Sequence, residues 1–163
     1  MSNRIQSIWD HPVYQHEFRQ IQKIEMDRVY CRHTPEHFLD VARIMWIETL
    51  EKDLSYPKDT IYAAALLHDI GRARQAGEGI PHDEASCELA RRILPDCGFT
   101  EKETEAICQT ILGHRRKTGK DNGNSLGDLL RRADKKSRLC FLCKARASCN
   151  WPEERKNQKL PVD

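Results

Sequence analysis

Apolar residues recur along this chain at three- and four-residue spacing, and no convincing stretch alternates apolar with polar. That period is the helical one, and it predicts an all-α fold without internal repeats. The strongest stretch is residues 61–72, which read Ile-Tyr-Ala-Ala-Ala-Leu-Leu-His-Asp-Ile-Gly-Arg. Seven apolar, helix-favouring residues in a row predict a helix buried on most sides, from about residue 57 to 69. Gly71 is expected to take φ > 0 and stop it, and the glycine-rich run 76–79 to form a loop.

The same period marks the other elements. Ile8, Phe18, Ile21, Ile24 and Val29 form an amphipathic stripe that Pro12 divides, with His11 and His16 expected at the surface. Thr34 is placed to cap a helix that has Pro35 in its first position and carries His37, Phe38, Val41, Ile44, Met45 and Glu48 on one side. Pro81 and His82 open another, with Ala85, Leu89, Ile93 and Leu94 inward. Thr100 and Glu103 make a capping-box pattern for a helix reaching about residue 117, whose apolar stripe ends on His114. A polar loop is expected at 117–124, then a last helix at 125–139 with Leu126, Leu129, Leu130, Ala133 and Ser137 inward and Asp134 beside them.

Composition changes this picture little. A chain of 163 residues suffices for one domain with a core, and 39% hydrophobic with 32% charged residues is ordinary. No run approaches the roughly 18 apolar residues of a membrane span, and the polar start lacks a signal-peptide core, so no membrane association and a cytoplasmic location are expected. The net charge of +2 does not argue for nucleic acid, although basic residues gather late, at 115–117, 131–132 and from Lys135 onward. Seven cysteines, an odd number, argue against a disulfide framework.

Histidine and aspartate change it more. His37, His68, His82 and His114, with Asp69 and Asp134, each fall near the end or inner face of an expected helix. Buried polar groups need partners, and this set suits a divalent transition metal (Fe, Mn, Zn, Ni or Co) rather than calcium. The runs His37-Phe-Leu-Asp-Val-Ala-Arg, His68-Asp69-Ile-Gly-Arg and Ala133-Asp134-Lys135 resemble the H…HD…D signature of HD-domain metal-dependent phosphohydrolases, over residues 31–138.

The resemblance implies a compact helical bundle at residues 1–139 with one metal on His37, His68, Asp69 and Asp134. The apolar run after His37 favours it as first ligand over His33, which is left to an outer position or the cavity rim. His82 and His114 match the extra histidines of two-metal members, in which the aspartate of the dipeptide bridges both ions. Some such members, bacterial diadenosine tetraphosphate hydrolases among them, carry adjacent histidines at the later position; here the neighbour of His114 is Arg115. The implied activity is hydrolysis of a nucleotide or other small phosphate ester by a metal-activated water, with Asp69 and His68 as catalytic residues. Arg72, Lys135 and Arg138 stand where they could steady phosphate oxygens. The alternative is a regulatory module that holds metal and nucleotide without turnover and touches nucleic acid through its basic tail.

Residues 140–163 form a separate tail. Cys140 and Cys143 have the C-x2-C chelate spacing, Cys149 adds a third thiolate, and Cys31, just before the His37 helix, is the best fourth ligand. These four make a candidate structural zinc or iron–sulfur site, and similar cysteine-rich tails occur in some bacterial HD-domain proteins. The bland reading is free thiols, with Phe141 and Trp151 docking the tail and residues 153–163 frayed.

Overall fold

The computed structural model describes residues 3–114 and 123–161, so the basic run at 115–117 and most of the expected 117–124 loop lie outside it. Among the described residues there are eight α-helices and no strand. They are α1 (Arg4–Asp10), α2 (Pro12–Ile24), α3 (Pro35–Glu51), α4 (Lys58–Leu67), α5 (Arg72–Glu78), α6 (His82–Ile93), α7 (Glu101–Gly113) and α8 (Leu126–Lys136). Three short 3₁₀ turns follow α8, at Cys140–Leu142, Arg146–Ser148 and Glu153–Arg155. No described helix is long and apolar enough to cross a membrane.

Local chemistry starts these helices where the capping residues stand. The Thr34 hydroxyl accepts from the His37 N–H at 3.4 Å, with Pro35 in the first turn. Thr100 and Glu103 form a reciprocal capping box at 3.2 and 2.8 Å. Ser125 caps α8 through the Asp128 N–H at 3.2 Å. Each cap satisfies amide donors that a helix start otherwise leaves unpaired.

α4 is the post of the fold, because its residues feed two cores. Ala63, Ala64, Leu66 and Leu67 join Ile8, Tyr14, Ile21, Leu89, Ile93 and Ile107 of α1, α2, α6 and α7. Ile61 and Ala65 join Val41, Met45, Leu129 and Leu130 of α3 and α8. Small alanines let neighbouring helices approach on both sides, and each fully buried leucine or isoleucine contributes about 1.5–3 kcal/mol. The Tyr14 hydroxyl, also buried, is satisfied by the Leu66 carbonyl at 3.2 Å.

Three expectations are corrected. The 76–79 run is no open loop: α5 continues through Glu78, and only Gly79, at φ 74°, turns the chain. Ile24 and Val29, placed on the inward stripe by spacing, are 51% and 68% exposed, because α2 ends at Ile24 before reaching a partner. Residues 153–157 are docked rather than frayed, since the Asn157 amide donates to the Lys135 and Arg138 carbonyls at 2.7 and 2.6 Å.

Candidate metal centre

α4 ends at Leu67, and residues 68–71 leave the helix as a turn, so His68 and Asp69 project from its C-terminal end into the interior. Both are buried, His68 completely. Gly71 is needed here, but not for the expected reason: its φ is −80°. A Cβ on it would stand 2.5 Å from the Ser86 nitrogen and 2.6 Å from the His82 carbonyl oxygen. The missing side chain lets the turn lie directly on the start of α6, where the Gly71 N–H donates to the Ser86 hydroxyl at 2.9 Å. That contact brings His82 alongside Asp69.

Every imidazole of the cluster has its Nδ1 side fixed. His68 Nδ1 donates to the Ala65 carbonyl at 2.7 Å, and His82 Nδ1 to the Gln75 side-chain oxygen at 2.7 Å. His114 Nδ1 donates to the Ile111 carbonyl. His37 Nδ1 lies 3.1 Å from Ser137 Oγ, whose own proton goes to the Asp134 carbonyl at 2.6 Å, so the imidazole is the donor of that pair. His33 Nδ1 donates to Glu25 at 2.5 Å. Such partners set the tautomer, so that Nε2 is the acceptor nitrogen of each ring.

These acceptor nitrogens meet carboxylate oxygens. His37 Nε2 lies 3.2 Å from Asp134 Oδ1, and His68 Nε2 lies 3.8 Å from it. His68 Nε2 and His33 Nε2 stand 3.3 and 3.0 Å from Asp69 Oδ2, while His82 Nε2 stands 3.2 Å from Asp69 Oδ1. His68 Nε2, both Asp69 oxygens and Asp134 Oδ1 are buried without a well-formed hydrogen bond. Acceptor facing acceptor in a dry interior costs several kcal/mol unless a cation lies between them. The ligand atoms fall into two sets, each within 4.8 Å: His37, His68, Asp69 and Asp134, and Asp69, His82 and His114. Asp69 belongs to both, one oxygen turned to each side.

Charge balance points the same way. Burial opposes a proton on His68, but Asp69 and Asp134 outweigh it and raise its pKa to about 10. Burial also works against the charge on both carboxylates; even so, His68 and His33 hold Asp69, and His37 and His68 hold Asp134, well below the usual range. One buried and one half-buried carboxylate facing the same space demand positive charge between them, from a proton on His68 or from a divalent ion. Burial lowers His37 to about 4 and lowers His114 too, so both are neutral near pH 7 and free to ligate.

The structure thus gathers all six expected histidine and aspartate residues. It places His33 deeper than the expected rim, 2% exposed and against Asp69. Arg138 Nη2 donates to His37 Nε2 at 3.0 Å and lies 3.6 Å from Asp134 Oδ1, and Arg72 Nε lies 3.1 Å from Asp69 Oδ2. Lys135 points outward and is exposed. Sequence reasoning missed Glu25, which grips His33 by both its Nδ1 and its backbone N–H, the latter at 2.8 Å, and missed Gln75 behind His82. Neither sits in a motif; only the docking of α2 and α5 brings them in.

Fold and centre together define an all-α protein with a buried histidine–aspartate cluster suited to divalent metal. The HD domain model matches residues 34–145, and the chain belongs to that family. An uncharacterized protein of Clostridium beijerinckii is 42% identical over 158 residues, 97% of this chain and 98% of that one. A bifunctional uridylyltransferase/uridylyl-removing enzyme of Gluconobacter oxydans is 30% identical over 109 residues, 59% of this chain but 11% of that protein. The crystal structure of a predicted HD superfamily hydrolase from an uncultured Thermotogales bacterium shares the fold, with a TM-score of 0.63, 21% identity and coverage of 88% of this chain and 79% of that one.

Proposed function

We propose that this chain is a metal-dependent phosphohydrolase acting on a nucleotide or another small phosphate ester. The observation that carries the reading is Asp69, buried between two donor sets with one unsatisfied oxygen toward each. His37, His68, Asp69 and Asp134 would hold one divalent ion, and Asp69, His82 and His114 a second with open positions left for water and substrate. Metal there supplies a water of lowered pKa and polarises a phosphoryl oxygen. In this reading the catalytic residues are Asp69, which bridges the sets and orients the attacking water, and His68, which is neutral as a ligand. Arg138, beside His37 and Asp134, and Arg72, beside Asp69, would offer guanidinium donors to phosphate oxygens, where planar bidentate pairing is strong.

The test is elemental analysis of protein purified without chelator, joined to a phosphate-release screen over mono-, di- and dinucleotides. Uridine nucleotides go first, because the names of three relatives carry uridylyl chemistry. The expected result is bound transition metal and release from at least one substrate, with His68→Ala and Asp69→Ala losing both. Retention of metal and activity in those variants overturns the assignment. Nucleotide binding without release makes the chain a regulatory module instead.

A further inference from the structure

A second group of metal-competent side chains lies on the other side of His37. Cys31, Cys140, Cys143 and Cys149 line a single cavity of about 290 Å³, together with Trp151. All are free thiols; Cys140 is buried and the others half-buried. They come from two segments more than a hundred residues apart, which hydrogen bonds hold together. The Tyr30 hydroxyl donates to the Ser148 carbonyl at 3.1 Å, tying the residue before Cys31 to the residue before Cys149. The Cys143 N–H closes one turn on the Cys140 carbonyl at 3.1 Å, and the Cys149 N–H closes the next on the Arg146 carbonyl at 3.3 Å. The Cys31 thiol is pushed up by burial, with Arg138 pulling against this and the three tail thiols adding to it.

The spacing of the sulfurs discriminates between ligands. A tetrahedral zinc with bonds of about 2.3 Å draws its thiolates to about 3.8 Å from one another. Among the described residues, no three of these sulfurs lie within 4.8 Å of one another, although both histidine–aspartate sets meet that limit. A polynuclear cluster spreads its four thiolates over different irons and so holds them farther apart. Arg138, Arg146 and Lys156 also line the cavity, placing positive charge where four thiolates would gather.

We propose that Cys31, Cys140, Cys143 and Cys149 bind an iron–sulfur cluster, which fastens the C-terminal tail against the start of α3 beside the metal centre. The site shares no ligand with the histidine–aspartate centre, although His37 and Arg138 line the same cavity, and it does not require the phosphohydrolase reading.

The experiment is iron and acid-labile sulfide analysis of the full chain purified without oxygen, with visible absorption and electron paramagnetic resonance before and after dithionite. Sulfide is the deciding quantity, because the histidine–aspartate centre can hold iron but not sulfide. Sulfide at one cluster per chain, with a visible band that bleaches on reduction, is expected. Cys143→Ser and Cys149→Ser should each lose both signals and keep metal at the histidine–aspartate centre, while His68→Ala should do the reverse. Absence of sulfide both as purified and after anaerobic reconstitution with ferrous iron and sulfide overturns the proposal. So does one zinc per chain that Cys143→Ser removes. The measurements on the unaltered chain decide the matter even where a serine variant fails to fold.

Discussion

Two neighbouring sites, one of imidazole and carboxylate and one of thiol, are built in opposite ways. The histidine–aspartate centre hangs from helices: α3, α4, α6, α7 and α8 each present a ligand within a turn of a helix end or face. Its rings are fixed by bonds to Nδ1 before any ion arrives, and its atoms already stand at the separations one ion needs. The cysteine cavity instead hangs from two consecutive 3₁₀ turns and the irregular chain before α3, and three of its four thiols are half-exposed. Helices supply stiffness that short turns lack. A rigid shell can aim donors at a single ion, whereas a shell of turns depends on its ligand to fix it.

The largest effect should come from removing the shared carboxylate. Asp69→Asn is expected to weaken metal binding by more than about 100-fold, beyond what an outer partner costs, in a titration followed by calorimetry. Labile sulfide should be unchanged; a parallel loss of sulfide would mean that the two sites are not separate. Glu25→Gln comes next. It leaves every ligand in place and disturbs only the carboxylate that orients His33 against Asp69, so about a 10-fold loss of metal affinity is expected. No change in affinity would show that His33 plays no part in holding the centre.

Smaller effects test the scaffold. Gly71→Ala forces a Cβ into backbone atoms at 2.5 and 2.6 Å, for which about 1–3 kcal/mol of lost stability is expected in a denaturant melt. A variant as stable as the parent would mean that the turn and α6 can separate freely. The least should come from Glu48, which lies near the other end of α3 from His37 and pairs with Arg132 and Lys52 at 2.6 and 2.5 Å. Burial raises its carboxyl, but those cations outweigh it and hold the pKa below the ordinary 4.5. Because the folded value is the lower one, its contribution is full above about pH 4.5 and fades as pH falls through the folded pKa. Glu48→Gln should therefore cost up to about 1 kcal/mol at neutral pH and converge with the parent in acid. A constant difference across that range would assign the effect to packing.

Much of the centre was legible because its ligands sit in helical register. His37 follows a threonine cap, His114 ends an apolar stripe, and the His68–Asp69 pair closes the most apolar helix, so periodicity alone put them inside. Glu25 and Gln75 could not be read that way. Glu25 is polar, lies at the very end of α2, and is buried where the chain before α3 folds back over that end and His33 meets its carboxylate. Gln75 was lost when the glycines after it suggested a loop, although α5 runs through to Glu78. For Gly71, local preference suggested a left-handed turn, while the reason for a glycine was the backbone of α6 in contact with it.

The sequence by itself determined the helical period, the capped starts, and which residues carry chemistry: histidines and aspartates at helix ends, cysteines before α3 and after α8. Those are local properties, written in spacing of three and four and in single capping residues. Distance was decided by the tertiary structure. Asp69 lies between two donor sets because α4 packs on both cores at once, and Arg138 turns toward His37 because the tail clamps the end of α8. The separation of donor atoms decides whether a site can close on one ion, and packing between remote helices sets that quantity where no local pattern can.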